Sequence, residues 1–395
     1  MKQVLKFSFL FLIVLFAFIS CNKDPVYPNS NRPPNPVPHV QSSDRCPRSP
    51  VNRPVINAQL VPFATLSQAR VGIAAGSAGS KIIFVGAGSN SGQATPSTRV
   101  DIYDINTNSW SIAELSVARQ DFAVVTSGNK IFFGGGWEGN WWNFPVMYSN
   151  VDIYDVVTNS WSVKYLSEPR AWVGAASAGN KVFFAGGTNG SYEASSKVDI
   201  YDTEINSWTT STLSEARSNI STAIAGDKIY FAGGAAGSAW VPRATVDVYD
   251  INSGLWSISS MSEPKYDMKS FAIGSKIIWA GGTTTIINYL GGYTSAMVEI
   301  KDVNTQSSSF SCLFEPKLWG HGDKAVLRNN QIVFFTGNII SNKFDIYDIV
   351  NNSWSIGQIN QNINGAAVVS VNNTIYVAGG YVNGSASNIV WKLEF

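Results

Sequence analysis

Six cations recur in register along this chain, and their types and spacing give them the clearest capacity for chemistry. Arg70, Arg119, Arg170, Arg217 and Lys265 each lie eleven residues before a lysine that opens an apolar run, and Lys317 lies fourteen before Gln331. The seventh instance breaks the series, with Ile363 eleven residues before Thr374. Guanidinium groups grip carboxylate, sulfate or phosphate through paired hydrogen bonds, so such a set predicts an anion-attracting surface. The same cations have a framework reading: they satisfy turn carbonyls, or pair with Glu168, Glu215, Glu263 and Glu315, each two residues upstream. Aromatics gather at matching places. One segment reads Trp137-Glu-Gly-Asn-Trp141-Trp142-Asn-Phe144-Pro, and Trp172 and Trp319 lie two residues after their cations. Trp240, Tyr192, Tyr289 and Tyr293 occupy corresponding loops, while Asp121, Asn219, Asp267 and His321 vary the positions just after the cations. Variation on a regular scaffold is where recognition is expected, and Trp beside Asn and Gly suits a sugar or peptide platform.

Catalytic chemistry is thinly provided. The two histidines, His39 and His321, are far apart in the chain, so no clustered His/Cys metal site is expected. No Ser-His-Asp arrangement, phosphate loop or paired-carboxylate motif stands out, and neither cofactor nor metal is expected. A net charge of +1 gives no reason to expect nucleic acid.

The elements that position these residues follow from a phrase returning about every 50 residues. Its centre reads Lys130-Ile-Phe-Phe-Gly-Gly135-Gly136, Lys181-Val-Phe-Phe-Ala-Gly186-Gly187, Lys228-Ile-Tyr-Phe-Ala-Gly233-Gly234, Lys276-Ile-Ile-Trp-Ala-Gly281-Gly282 and Thr374-Ile-Tyr-Val-Ala-Gly379-Gly380. Looser versions begin at Lys81 and Gln331. A second phrase, Val-Asp-Ile-Tyr-Asp, is centred on Ile102, Ile153 and Ile200, with variants around Val248, Ile300 and Ile346. Asn-Ser-Trp turns end at Trp110, Trp161, Trp208 and Trp354, with Trp256 and Phe310 in the same place. Each unit holds four short β-prone runs separated by Gly, Asn, Asp or Ser; in the second they fall at about 121–127, 130–135, 150–155 and 159–165. One such unit cannot cover its own faces, but radial stacking does.

The Gly-Gly doublet, Tyr and Trp at fixed offsets resemble the kelch repeat over nearly everything after residue 55. The resemblance implies an all-β, seven-bladed kelch β-propeller over 55–395, with first strands lining a central channel and the cations around one mouth. The last repeat has only three runs, so the preceding run Val55 to Phe63, with Val61 in the Trp position, is expected to supply the outer strand of the last blade. A six-bladed ring with a stray N-terminal segment is the alternative. Kelch adaptors of ubiquitin ligases carry arginines that grip acidic peptides, which by position implies such a role for Arg70, Arg119, Arg170 and Arg217. Kelch copper radical oxidases need two histidines and a Cys–Tyr crosslink, which this chain cannot assemble. A resemblance to kelch sialic-acid mutarotases leaves an enzyme of acidic sugars as an alternative.

Upstream, Lys2 and Lys6 precede an apolar run from Phe9 to Ile19, too short to span a bilayer but suited to a signal peptide. Phe18-Ile-Ser-Cys21 resembles a bacterial lipoprotein box, with Phe18 departing from the usual Leu. This implies a signal peptide over 1–20, a lipidated Cys21 and a Pro/Asn/Ser-rich tether over 21–54. Cys46 and Cys312 are then left for a disulfide that export permits. The expected protein is a monomeric, non-enzymatic binding protein of the bacterial cell envelope, an outer-membrane lipoprotein. Its expected binding set is Arg70, Arg119, Arg170, Arg217, Lys265, Lys317, Trp137, Trp141, Trp142, Trp172, Trp240 and Trp319, facing a protein partner or anionic glycan. A structural envelope-assembly role is the remaining alternative.

Overall fold

The computed structural model describes residue 46 and residues 52–90, 93–139, 145–286, 292–316, 325–335 and 342–395. The signal peptide, Cys21 and most of the tether lie outside these residues, as do Lys317, Trp141, Trp142, Trp319, His321 and Tyr289.

Each blade has a four-stranded antiparallel sheet, built by consecutive runs except for the outer strand of blade 7. Blade 3 shows the pattern: Gly174–Ala178, Lys181–Ala185, Lys197–Asp202 and Ser207–Thr212 from the channel outward. The others have inner strands Ala74–Ala78, Ala123–Ser127, Ser221–Ala225, Lys269–Ile273, Ala325–Arg328 and Ala367–Val371, giving seven blades. The second and third strands of a blade are apolar on both faces because each face meets a neighbouring blade; Val182, Phe183, Phe184 and Ala185 are all buried. The cores therefore lie between blades: Phe132 and Ile153 of blade 2 share one with Val182, Phe184 and Tyr201 of blade 3. Burial of such side chains contributes about 1.5–3 kcal/mol each.

The repeated phrases have separate tasks. Tyr201 meets Trp208 across the two outer strands at 4.9 Å, and Tyr154 meets Trp161 at 4.8 Å. Tyr154 donates its hydroxyl hydrogen to Asn159 at 2.9 Å, pinning an Asn that turns the chain with φ of 55°. The Gly doublets meet the next blade. Gly187 has φ of 102° and donates to the carbonyl of Arg217 at 2.9 Å, and a Cβ there would sit 2.7 Å from the Ala171 carbonyl. Only glycine fits that approach.

The ring closes between its ends. Gln59–Thr65 pairs antiparallel with Ile389–Glu394 as the outer strand of blade 7, and Gly380 donates to the Arg70 carbonyl at 2.8 Å. The expected orphan run is divided, however: Val55–Asn57 first adds a fifth, parallel strand to the outer edge of blade 6. Leu60, rather than Val61, takes the Trp position, facing Leu393. A bulge between Pro62 and Ala64 takes up one residue and shifts the count.

Part of the expected tether also belongs to the ring. Cys46 is bonded to Cys312 at the end of blade 5's outer strand, with Cα atoms 5.7 Å apart. Arg53 pairs with Asp345 of blade 6 at 2.9 Å and lies 4.9 Å over the Trp354 ring. The N-terminal segment thus crosses the rims of blades 5, 6 and 7 in turn.

Candidate functional site

The register of cations brings five of its members to one level of the propeller, but inside the protein. Arg70, Arg119, Arg170, Arg217 and Lys265 all have 0% exposure. Arg119 donates to the carbonyls of Gly135 and Phe133 at 2.8 and 2.9 Å and to Asp152 at 2.6 Å. Arg70, Arg170 and Arg217 pair in the same way with Asp101, Asp199 and Asp247. Those aspartates are the first acids of the Val-Asp-Ile-Tyr-Asp phrases. Each also accepts the backbone N–H of the turn entering its blade, as Asp199 does from Ser167 at 2.9 Å. Lys265 instead reaches the Met297 carbonyl at 3.3 Å and Glu263 at 3.7 Å.

The expectation that these five cations offer charge to a ligand is therefore corrected. Each has been drawn under the mouth to satisfy carbonyls where one blade feeds the next. The upstream glutamates are secondary partners, at 3.6 Å for Glu168 with Arg170 and 3.8 Å for Glu215 with Arg217. Burial pulls the Arg70 guanidinium down to about 10 while Asp101 opposes the fall, so it remains a cation at neutral pH. Blade 7 supplies a control. Its counterpart of the cation is Ile363, and the position matching the partner aspartate is Trp391, which pairs with Val377 as Asp199 pairs with Phe184. Both fall in one apolar cluster, so blade 7 has neither the cation nor the carboxylate at these places.

What the mouth presents is the residue two places after each cation. Gly72, Asp121, Trp172, Asn219, Asp267 and Gly365 all adopt left-handed backbone, with φ from 51° to 68°. They join blade to blade through the main chain. Trp172 donates to the Asp121 carbonyl at 3.2 Å, Asn219 to that of Trp172 at 3.0 Å, and Gly72 to that of Gly365 at 2.8 Å. Inside this collar lies a cavity of about 560 Å³, lined by Gln120, Asp121, Trp172, Asn219 and Asp267 and by inner-strand residues that include Ala123, Gly174, Ser221, Lys269 and Phe271. That size falls in the usual range for ligand sites.

The loops between second and third strands come to the same face, as alternating strand direction requires. Gln120 bridges Trp137, and Tyr266 bridges Thr283. The outcome is an aromatic arc over four consecutive blades. Trp137 lies 5.8 Å from Trp172, Trp172 lies 5.7 Å from Trp240, and Trp240 lies 6.1 Å from Tyr266. Trp137 is buried and donates its indole N–H to Asp121 at 2.7 Å, whereas Trp172 and Trp240 are half-buried. Burial, then Asp267, push the Tyr266 hydroxyl up to about 12, which keeps it neutral.

Strain marks the same arc. Most non-glycine residues with positive φ are Asn or Asp in turns, the types that tolerate that backbone. Three bulky aromatics share it: Trp172 at 53°, Tyr192 at 62° and Trp240 at 54°. Such placements cost roughly 1–2 kcal/mol each, and local turn chemistry does not account for an indole there. Sequence reasoning had named Asp121, Asn219 and Asp267 only as variable positions, and it missed Gln120, Lys269 and Tyr266. Their fixed offsets from the buried cations were the signal available.

The Kelch motif family model matches residues 169–211 and 364–394, falling on blade 3 and on the last blade. The molecule is a seven-bladed β-propeller with kelch motifs at these two places. A solved structure described as the structure of YjhT is similar in fold, with a TM-score of 0.50 and 14% identity, covering 84% of this chain and 95% of that one. No curated protein was found to match the sequence.

Proposed function

We propose that the chain is a non-enzymatic binding protein of the bacterial cell envelope, held by lipid on Cys21 and binding its ligand at the propeller mouth over blades 2–5. The observation that carries this reading is the contrast at the mouth. The buried cations are nearly invariant from blade to blade, whereas the half-buried positions two residues later differ and ring a cavity of about 560 Å³. A framework repeats, and a surface that departs from its own repeat supports recognition. The acid-gripping role foreseen for the arginines has no surface to act through, so the arc of Trp137, Trp172, Trp240 and Tyr266 takes its place. The Pro- and Asn-rich stretch from Asn22 onward suits a spacer between anchor and ring.

Two measurements test the proposal. Radiolabelled palmitate is expected to enter the full chain in a bacterial host and to be lost in Cys21→Ser; equal labelling of both sinks the anchor. Capture of envelope glycans and proteins by the detergent-solubilised chain is expected to fall at least tenfold in Trp172→Ala. Undiminished capture moves the binding surface off the mouth.

A further inference from the structure

Resting on the reading of a tethered ring, we infer that the bond between Cys46 and Cys312 is a load path. Tension on the chain upstream of Cys46 passes into blade 5 and never reaches the strand that closes the propeller. The need for such a path follows from topology. Gln59–Thr65 is the outer strand of blade 7, and its first residue, Gln59, faces Glu394 at the end of an antiparallel pair. A pull from the N-terminal side opens that pair from Gln59 onward, one hydrogen bond at a time. Blade 7 is then left with the three strands Ala367–Val371, Thr374–Ala378 and Ile389–Glu394, and the ring is no longer clasped. An anchored protein holding a ligand at its mouth is loaded in this direction whenever ligand and membrane move apart.

The covalent route bypasses that end. A pull arriving at Cys46 is handed to Cys312, and residues 47–65 carry none of it. Cys312 lies in mid-chain, with folded strand on either side. It pairs with Met297 as the last residue of Ser308–Cys312, and the following Leu313 is buried and donates its N–H to the Ala296 carbonyl at 2.7 Å. Force applied there has to displace chain in both directions. Without the bond, the same pull meets a series of short grips. Arg53 holds Asp345 at 2.9 Å and also donates to the Cys312 carbonyl. Next comes the three-residue parallel strand Val55–Asn57, flanked by hydrogen bonds of 2.8 Å from Ile356 to the Pro54 carbonyl and from Ala58 to that of Gln358. Gln59 and the closing strand follow directly.

Optical-tweezers pulling on the full chain tests the path, with thiol-free attachments at Asn22 and at Val157, an exposed turn residue of blade 2. In the oxidised chain the first event is expected to be the opening of whole blades. After reduction by a dithiol, or in Cys46→Ser, an earlier step is expected at roughly half the force or less. It should release residues 46–65, up to roughly 70 Å at about 3.3–3.6 Å per residue. Moving the first attachment from Asn22 to Val55, which is also exposed, places the pull between the bond and the closing strand. A short early step of up to roughly 30 Å is then expected even in the oxidised chain, where the nine residues back to Cys46 limit it. The 70 Å step in the oxidised chain pulled from Asn22 overturns the inference. So does the lack of an early step in the reduced chain, or in the chain pulled from Val55. No membrane takes part. A Cys21 that takes up no palmitate therefore removes the anchor while the load path stands, and a failed load path leaves the anchor standing.

Discussion

Blades 3 and 7 solve one architectural problem with opposite chemistry. In blade 3 the junction is a buried ion pair, Arg170 with Asp199, tied to carbonyls on both sides. In blade 7 the same two places hold Ile363 and Trp391 in an apolar cluster. Removing two charges from water costs several kcal/mol per ion, so the pair is weak evidence for stability and good evidence for a fixed geometry. The comparison teaches that repetition of a charged residue around a ring is the signature of a joint, and that the places free to differ lie two residues on.

Breaking the pair on one side should give the largest effect. Arg170→Met leaves Asp199 buried without its cation and is expected to destabilise by about 3–5 kcal/mol in urea unfolding. The double variant Arg170→Met/Asp199→Leu is expected to lose less than the two single changes combined, by at least about 1 kcal/mol. Simple additivity would mean that the two positions do not act as one joint. Next comes the N-terminal clasp. Cys46→Ser is expected to cost about 2–4 kcal/mol, read as a lower urea midpoint, with no effect if the clasp contributes nothing. Trp172→Asn sharpens the comparison from the other side, since relieving left-handed strain is expected to stabilise by up to about 1 kcal/mol. A loss of stability there would show that the indole is itself part of the framework.

The smallest effect concerns pH. A hydrogen bond from Lys81 is the main cause holding Asp104 down at about 2. A carboxylate lowered on folding contributes stability that is present above its unfolded value, near 4, and is lost as pH falls through about 2. Stability should therefore decline between about pH 4 and 2. Lys81→Met should flatten that slope slightly, because the pair lies half-buried at the surface, where solvent still screens it. An unchanged acid slope would assign the decline to other carboxylates.

Much of the ring was legible because its rules are local. The Gly doublets, the Tyr and Trp offsets and the short last repeat each state a strand, a turn or a missing edge without reference to distant residues. The joint was harder to read. Arg170 and Asp199 are partners only because a blade's third strand returns beside its own entrance, and the nearer Glu168 was the more obvious counterion by spacing. The paired apolar residues Ile363 and Trp391 carried the answer, but only once the strands were registered. The mouth was half visible: Asp121, Trp172 and Asn219 stood out as variable, while the depth that hides the cations beneath them is a property of packing.

The clasp at the N-terminus also has a consequence in time. Blade 7 needs Gln59–Thr65, among the earliest residues of the ring to be made, to wait for Ile389–Glu394, among the last. Contacts so remote in sequence form slowly, because loop-closure entropy opposes them before they are rewarded. The bond between Cys46 and Cys312 spans 266 residues and joins the same waiting segment to blade 5. Its appearance during refolding would therefore serve as a clock for the capture of that segment, separable from the earlier growth of the blades between.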